Sequence, residues 1–308
     1  MQCILTGTIA NAIPAYIEVP KKPFDSVQNS NDIQNHNPFI HMAIITISRG
    51  SYSSGKNLAE SLARCLNYQC VDRDTLIERA SNHGSSPNDL LAAFESPPTT
   101  QHYTVNHRKY TYLAFMQAAI AEELKSGNAV YHGLVGHLLL PASLAVLRIR
   151  VIAPMEYRIR IVQELNKCDR MQAISHIQKS DEHRRKWTRY IYEIDWEDPT
   201  LYDIVLNLEQ IGVDQACRFI AELIKNNGFR FCERQQAIMN NFTIATRVRS
   251  ALARNPITSN LEVEVESNNG EVTIQGELCE QIDEIQQVTN KIHGVIKLNI
   301  IDSNTPAK

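Results

Sequence analysis

A glycine- and serine-rich loop is the clearest chemical feature of the sequence. It has the pattern G-x-x-x-x-G-K and reads Gly50, Ser51, Tyr52, Ser53, Ser54, Gly55, Lys56 and Asn57. The glycines let backbone N–H groups converge on phosphate oxygens, and a helix that begins there adds partial positive charge. In such a loop Lys56 reaches the β- and γ-phosphates of a nucleotide. The loop therefore predicts a triphosphate site.

Asn57 stands where this motif normally has a Ser or Thr hydroxyl that binds Mg²⁺. An amide oxygen can also ligate magnesium, although it is neutral and sits on a longer side chain. We therefore predict that Asn57 is a weak Mg²⁺ ligand. The alternative interpretation of the whole loop is a Gly-Ser turn that precedes a helix by chance.

A second polar group, Asp72, Arg73 and Asp74, directly follows the next strand candidate. Ligands of an open parallel sheet bind at the carboxyl ends of its strands. We therefore predict that Asp72 orients an acceptor hydroxyl or phosphate, or holds magnesium through water, and that Arg73 binds the acceptor. Asp74 is predicted to be the N-cap of a helix that begins at Thr75, because a short carboxylate accepts a hydrogen bond from a free N–H of the first turn.

One segment of the sequence is rich in arginine: Arg158 and Arg160 lie on one predicted helix, Arg170 follows it, and a second predicted helix contains residues 181–190. Asp181 is spaced to pair with Arg184 or Arg185 on that helix, and Arg189 follows one turn after Arg185. Fixed positive charge of this kind offsets the negative charge on a phosphoryl group during its transfer. The alternative is an ordinary solvated basic face.

Short apolar runs alternate with helical periodicity between residues 43 and 225. The run 43–47 precedes the loop, and Leu58, Leu62 and Leu66 follow it at helical spacing. Strands that alternate with helices predict a parallel sheet with helices on both faces. The other strand candidates are residues 69–71, 129–131, 147–152 and 203–208.

The pattern changes near the end of the chain. Residues 229–241 lack strong periodicity and are interpreted as a linker. Residues 242–303 then show a helix, two strands joined by an Asn-Gly turn, a second helix and a last strand. We therefore predict an α/β domain over residues 42–228 and a small α+β domain with the order αββαβ over residues 242–303. Residues 1–41 are interpreted as a mostly disordered leader, because residues 21–41 are rich in Asn, Gln, Asp and Pro. Residues 1–20 contain no Lys or Arg, so the charged start of a secretory signal is missing.

Composition excludes several classes of protein. The net charge of −3 provides no overall basic field, so nucleic acid is not an expected partner. No apolar run approaches the roughly 20 residues that span a bilayer. The seven cysteines are scattered without a C-x-x-C pair, which predicts reduced thiols and a cytoplasmic protein.

Several segments of the first domain together resemble the cytidylate kinase-like family. They read ISR at 47–49, followed by the loop, VDR at 71–73, LRIRVIAPMEYR at 147–158 and a stretch at 179–207 that ends in DWEDPTLYDIVLN. The resemblance implies a P-loop fold of the nucleoside monophosphate kinase type. It also implies ATP, Mg²⁺ and phosphoryl transfer to a nucleotide or a similar small phosphorylated acceptor.

The resemblance also assigns roles to residues. It places Asp72 and Arg73 on the acceptor side and the three arginines of the predicted helix in a mobile lid. The residues expected to be catalytic on this basis are Lys56, Asp72, Arg184, Arg185 and Arg189.

One turn departs from the family pattern. Family members usually have a Gly-Arg-Gly type turn after the third strand, and its arginine meets the acceptor phosphate. The matching residues here are Gly133, Leu134 and Val135, and a neutral leucine cannot pair with a phosphate. His132 beside the turn is assigned to acceptor binding. Leu134 and Asn57 leave open a second function, an ATP-binding sensor with little or no turnover that signals through the tail. A purely structural scaffold is disfavoured, because Lys56 and the arginines are kept.

The last domain resembles a BON domain over residues 242–302. The resemblance depends on the strand at 261–266, the Asn-Gly turn, Gly276 and the sequence HGV at 293–295. That family is associated with membranes, phospholipids, small ligands and protein interaction. Residues 235–308 contain six Lys and Arg but nine Asp and Glu, so an anionic membrane would repel them. We expect an interaction or regulatory role, with a protein or a membrane-associated partner.

Overall fold

The computed structural model of the protein describes residues 42–82, 102–226, 229–278 and 281–303. The predicted leader, residues 1–41, lies outside the described residues. Within the described ranges, no helix combines the length and the apolar character that crossing a membrane requires.

A five-stranded parallel sheet forms the centre of the first part of the chain, as predicted. All of its pairings are parallel, and the strands lie in the order β2-β3-β1-β4-β5. Its central strands are buried because helices cover both faces, which is why they read as continuous apolar runs. The strands are β1 (Ile44–Arg49), β2 (Gln69–Asp72), β3 (Ala129–Gly133), β4 (Val146–Ile152) and β5 (Ile204–Asn207).

Seven helices among the described residues accompany this sheet. They are α1 (Gly55–Leu66), α2 (Arg73–Asn82), α3 (His102–Glu123), α4 (Met155–Asn166), α5 (Arg170–Tyr192), α6 (Leu208–Ile211) and α7 (Val213–Asn226). Helices α1 and α7 share a core with one face of the sheet, where Leu58 and Leu62 meet Ile220. Helices α2, α3 and α5 pack on the other face. The carboxyl ends of the strands, where the predicted site residues lie, thus stand between two helical layers.

The tail has the predicted order of helix, two strands, helix and strand. Strands β6 and β7 are antiparallel, and β7 and β8 are parallel. Asn269 and Gly270 join β6 to β7 with φ angles of 50° and 86°, as the Asn-Gly turn predicts. The elements are α8 (Glu233–Arg254), β6 (Glu264–Asn268), β7 (Glu271–Gly276), α9 (Ile282–Thr289) and β8 (Lys297–Asp302).

Most of the segment interpreted as a linker is helical. Helix α8 begins at Glu233 rather than at residue 242. Met239 is fully buried there, and Gln235 Oε1 accepts a hydrogen bond of 2.6 Å from the N–H of Ala145. Contacts with distant parts of the chain stabilise these turns, so the weak apolar periodicity at 229–241 did not indicate a helix.

One hydrophobic core continues from the five-stranded sheet through α3 and α8 into the three-stranded sheet. Polar contacts reinforce it along both helices. The guanidinium of Arg249 lies 4.5 Å from the ring centroid of Tyr110 and donates to Gln117 Oε1 at 2.9 Å. Arg247 donates to Glu122 at 2.5 Å. The tail is therefore packed against α3 rather than merely tethered to it.

Candidate functional site

The backbone of the loop between β1 and α1 is shaped to bind an anion. Tyr52 and Ser54 have positive φ angles of 59° and 62°, and the residue between them does not. Alternating backbone conformations of this kind make successive N–H groups converge on a concave surface. The N–H groups of Gly55, Lys56 and Asn57, in the first turn of α1, have no acceptor among the described residues. The start of a helix leaves such donors for a ligand.

The loop serines bind other protein groups. Ser53 Oγ donates to the carbonyl oxygen of Gly50 at 2.9 Å. Ser51 is buried, and its hydroxyl shares a hydrogen bond of 2.7 Å with the hydroxyl of Ser180 on α5. These contacts fix the loop and occupy its serine hydroxyls, so the N–H groups of Gly55, Lys56 and Asn57 are the donors left for a phosphate.

Helices α4 and α5 hold the outer side of the loop. The hydroxyl of Ser54 shares a hydrogen bond of 2.7 Å with that of Tyr157 on α4. The hydroxyl of Tyr52 lies 2.5 Å from His176 Nε2 on α5, and the Tyr52 side chain packs against the small apolar core between the two helices. Tyr157 and His176 were not predicted, because their contacts with the loop join residues far apart in sequence.

Lys56 lies in the first turn of α1 with its ammonium group accessible. Its Nζ is 3.7 Å from Glu60 Oε1, and the side chain is 57% exposed. It is close enough to interact electrostatically with Asp72 and His132 at the same edge of the sheet. An exposed ion pair with a glutamate one turn away is weak, so Lys56 is free to bind a phosphate instead.

Asp72 is the N-cap of α2, a role that was wrongly predicted for Asp74. Its Oδ1 accepts hydrogen bonds from the N–H and the hydroxyl of Thr75, both at 2.8 Å. Burial alone would raise the pKa of Asp72, but these hydrogen bonds outweigh it and lower the pKa. Asp74 instead pairs with Arg73, at 3.1 Å. The cap differs because α2 begins at Arg73, ahead of the predicted start.

The end of β3 places His132 beside Asp72 and buries Leu134. His132 is buried, and both burial and the charge of Arg49 lower its pKa to about 4. Its Nδ1 has no hydrogen-bond partner among the described residues. Leu134 is 7% exposed and belongs to the core next to α3. Of these two side chains, only that of His132 has a polar group that can contact the substrate that accepts the phosphoryl group.

Arg184 lies at the end of β1, just before the loop, and its catalytic role stays a prediction. Its guanidinium donates to the carbonyl oxygen of Arg49. Burial, together with the nearby charge of Arg49, lowers the pKa of Arg184 to about 10, so it still carries its charge near pH 7.

The other two predicted lid arginines lie elsewhere on α5. Arg185 forms ion pairs with Glu182 at 2.5 Å and with Glu197 at 3.2 Å. Arg189 is exposed, and the structure describes no contact between it and the loop. Catalytic roles for these two residues stay predictions.

Arg158, predicted as part of the arginine-rich segment, connects α4, the loop and α5. Its Nε donates to the carbonyl oxygen of Ser51 at 2.7 Å, and its Nη2 donates to both carboxylate oxygens of Asp181 at 2.8 and 2.7 Å. The predicted pairing of Asp181 with Arg184 or Arg185 is therefore wrong. Its partner lies on a different helix, beyond the reach of spacing rules for a single helix.

Arg49, the last residue of β1, also lies at the site and was not predicted as a site residue. Its Nε is buried without a hydrogen-bond partner among the described residues. A Cβ atom added to Gly55 would lie 2.6 Å from Arg49 Cβ, so the glycine leaves room for this side chain. The only signal in the sequence was the Ser-Arg pair that ends the first strand.

The donor set suits a Mg²⁺ ion that arrives with a triphosphate. Among the described residues, no group of three His, Cys, Asp or Glu side chains is arranged to hold a metal. Asn57 is exposed, and the carboxylate of Asp72 already binds Thr75. Mg²⁺ commonly keeps water and phosphate oxygens as most of its ligands, so one amide oxygen from Asn57 is a sufficient protein contribution.

His137 makes the stability of this part of the chain sensitive to acid. It is buried edge-on against Tyr202, and burial together with the charge of Arg148 lowers its pKa to about 3. The unfolded chain takes up a proton near pH 6.5, so stability falls as the pH drops from there towards 3.

We expect His137→Phe to reduce the loss in free energy of unfolding between pH 7 and pH 4.5 by about 2 kcal/mol, as measured by urea titration. The same substitution at the exposed His293 should leave that loss unchanged. An undiminished loss in the His137 variant would contradict the assignment.

Comparisons with known proteins agree with this architecture. The model of the cytidylate kinase-like family matches residues 44–210, and that of the BON domain matches residues 240–299. The cytidylate kinase of Staphylothermus marinus is 30% identical over 106 residues, which are 34% of this chain and 58% of that protein. The chain thus spans less than two thirds of that relative's length.

Solved structures with low sequence identity also align with this chain. An uncharacterized protein from Eubacterium ventriosum is 20% identical, with a TM-score of 0.48, over 60% of this chain and 99% of that one. The shikimate kinase of Bacteroides thetaiotaomicron is 14% identical, with a TM-score of 0.38, over 60% of this chain and 99% of that one. Since the first family model covers more than half of the residues, the chain belongs to the cytidylate kinase-like family, and its tail carries a BON domain.

Proposed function

We propose that the protein transfers the γ-phosphoryl group of ATP to a nucleotide or to a similar small phosphorylated acceptor. The observation that carries this proposal is the loop at residues 50–57, where unpaired main-chain N–H groups converge beside Lys56. That arrangement suits a polyphosphate, because the donors and the positive end of α1 act on the same group.

The residues divide between the two substrates. The loop and Lys56 bind the donor, while Asp72, Arg73 and His132 lie at the ends of β2 and β3 and contact the acceptor. An acceptor oxygen bonds to the γ-phosphorus as the bond to the β–γ bridging oxygen breaks, which leaves ADP. Phosphoryl transfer asks the protein mainly for positioning and for positive charge. Arg184 supplies such charge beside the loop, and bound Mg²⁺ neutralises part of the phosphate charge.

A sensor is the second candidate function, and two observations favour it. Leu134 is buried where it offers an acceptor no charge, and the BON domain shares a core with α3. Occupancy of the loop would then be reported through α3 to a protein or membrane-associated partner of the BON domain, with little or no turnover.

Turnover assays on the full chain separate these functions. Mg·ATP is offered with each member of a panel of nucleoside monophosphates while ADP is measured, and calorimetry records ATP binding. Turnover with one acceptor, abolished by Lys56→Ala, would support the kinase. Tight binding of ATP without turnover on any acceptor would support the sensor, and an absence of binding would overturn both.

A further inference from the structure

We propose that Arg49, with Arg184 beside it, binds the phosphate group of a phosphate-monoester acceptor at the carboxyl end of β1. The inference rests on the function proposed above and deepens it, because it names the acceptor class and adds a specificity residue. Arg49 is part of no ion pair or motif already used for the donor.

Arg49 and Arg184 differ from the neighbouring arginines because they form no ion pair among the described residues. Four arginines surround this end of the sheet. Arg73 and Arg158 each have an aspartate partner, at 3.1 and 2.7 Å. Neither Arg49 nor Arg184 forms an ion pair within the part of the chain that the structure describes. Arg184 donates to the carbonyl oxygen of Arg49, and the Nε of Arg49 has no hydrogen-bond partner there. Asp72, Asp74 and Asp181 lie close enough to interact with these two guanidinium groups electrostatically, but each carboxylate forms its hydrogen bonds or ion pair with another residue. The two half-buried guanidinium groups therefore keep donors for an anion.

Unsatisfied polar atoms are the second argument. The Nε of Arg49 and the Nδ1 of His132 are both buried without a hydrogen-bond partner among the described residues. Leaving such groups unpaired is costly. The two side chains interact electrostatically, so they lie close together. A phosphate oxygen beside them accepts from Arg49 Nε, and His132 as its Nδ1–H tautomer donates to the same group.

The position of Arg49 favours the acceptor over the donor. Besides Arg184 on α5, its charged and titratable neighbours are Asp72, Arg73, Asp74, Tyr131 and His132, all at or directly after the ends of β2 and β3. These strands lie on one side of β1 in the sheet. The Arg49 side chain also packs against Gly55 at the start of α1, so it stands where the donor loop meets the acceptor side. The turn after β3 adds no cation, because Leu134 is buried.

The number of charges favours a phosphate over a carboxylate. Two guanidinium groups match the charge of a dianionic phosphate monoester, whereas a carboxylate balances only one of them. Guanidinium groups also bind phosphate oxygens through several directed N–H donors. We therefore expect the phosphate of a nucleoside monophosphate, rather than its base or sugar, to contact Arg49.

The test uses Arg49→Gln, Arg49→Lys and a control, Arg64→Gln, in the full chain. Arg64 is exposed on α1 and donates only to Ser61. We expect Arg49→Gln to raise the KM for the best nucleoside monophosphate about 10- to 100-fold and to change the calorimetric Kd for ATP less than about threefold. Arg49→Lys, which keeps the positive charge but loses the planar set of guanidinium N–H donors, should show a smaller rise in KM. Arg64→Gln should show none.

Direct binding of the acceptor keeps this inference separate from the proposed function. Calorimetry without ATP compares a nucleoside monophosphate with the matching nucleoside. If the wild type shows no turnover, the kinase function fails, yet a loss of monophosphate binding in Arg49→Gln with nucleoside binding unchanged would still support the site.

Three results would overturn the inference: an unchanged KM and acceptor Kd in Arg49→Gln, an equal loss of affinity for ATP and acceptor, or no binding of any monophosphate by the wild type. Melting temperatures of the variants show whether each is folded, and Arg49→Lys supplies the comparison if Arg49→Gln is not.

Discussion

Lys56→Ala is expected to weaken the binding of Mg·ATP about 100-fold and to abolish turnover. The substitution removes the one ammonium group that lies beside the unpaired N–H groups of the loop. Stability should change little, because the side chain is exposed and its pairing with Glu60 is weak. Calorimetry with a slowly hydrolysed ATP analogue measures the affinity, and release of ADP measures the turnover.

Lys225 offers a matched control for that experiment. Its side chain is 53% exposed and its Nζ lies 3.7 Å from a glutamate on its own helix, so it matches Lys56 in exposure and in ion pairing. Lys225→Ala should leave ATP binding unchanged. Asp72→Asn should also cost far less ATP affinity than Lys56→Ala, since Asp72 is assigned to the acceptor side. Equal losses in the Lys56 and Asp72 variants would contradict the division into donor and acceptor sides.

Met239→Asp is expected to destabilise the five-stranded sheet as well as the tail. Met239 is fully buried in the core that α8 shares with α3. A carboxylate there has no partner, and burying it costs about 3 kcal/mol or more. Both tryptophans of the chain have their ring contacts in the first domain: Trp187 on α5 packs edge-on against Tyr112 of α3, and the guanidinium of Arg150 on β4 lies 4.9 Å from the ring centroid of Trp196. Their fluorescence therefore monitors unfolding of the sheet and its helices, not of the tail.

Asn240→Asp is the control for the added charge. Asn240 follows Met239 in the same helix but is exposed, so its variant should have the midpoint of the wild type in a urea titration. A Met239→Asp chain that keeps the tryptophan midpoint of the wild type would show that the two sheets unfold independently. Far-ultraviolet circular dichroism, which reports both units, completes the comparison.

The fold was largely readable from the sequence because its signals are local. Each buried parallel strand is a short apolar run, and the Asn-Gly turn specifies its own backbone angles. The start of α8 was missed for the opposite reason. Residues 233–241 are mostly polar, and what stabilises them as a helix is contact with α3 and with Ala145. No local pattern records such partners.

The candidate site was only partly readable. The loop at residues 50–57 has a motif with fixed spacing, and the structure gives it the expected place between β1 and α1. Arg49 and Arg158 lie in segments that carry the family resemblance, but no spacing rule gave them partners. Their importance arises from helices that approach the loop from far along the chain, as the pairing of Arg158 with Asp181 shows. Spacing along one helix could not identify that partner.

Helix α3 packs against both the five-stranded sheet and the BON domain. A domain joined by a flexible linker adopts many orientations, whereas the BON domain packs against α3 and keeps one. The outer face of its sheet, which displays Glu264, Glu266 and Lys297, is exposed. A partner that docks on that face would therefore be held at one distance and in one orientation relative to the loop at residues 50–57.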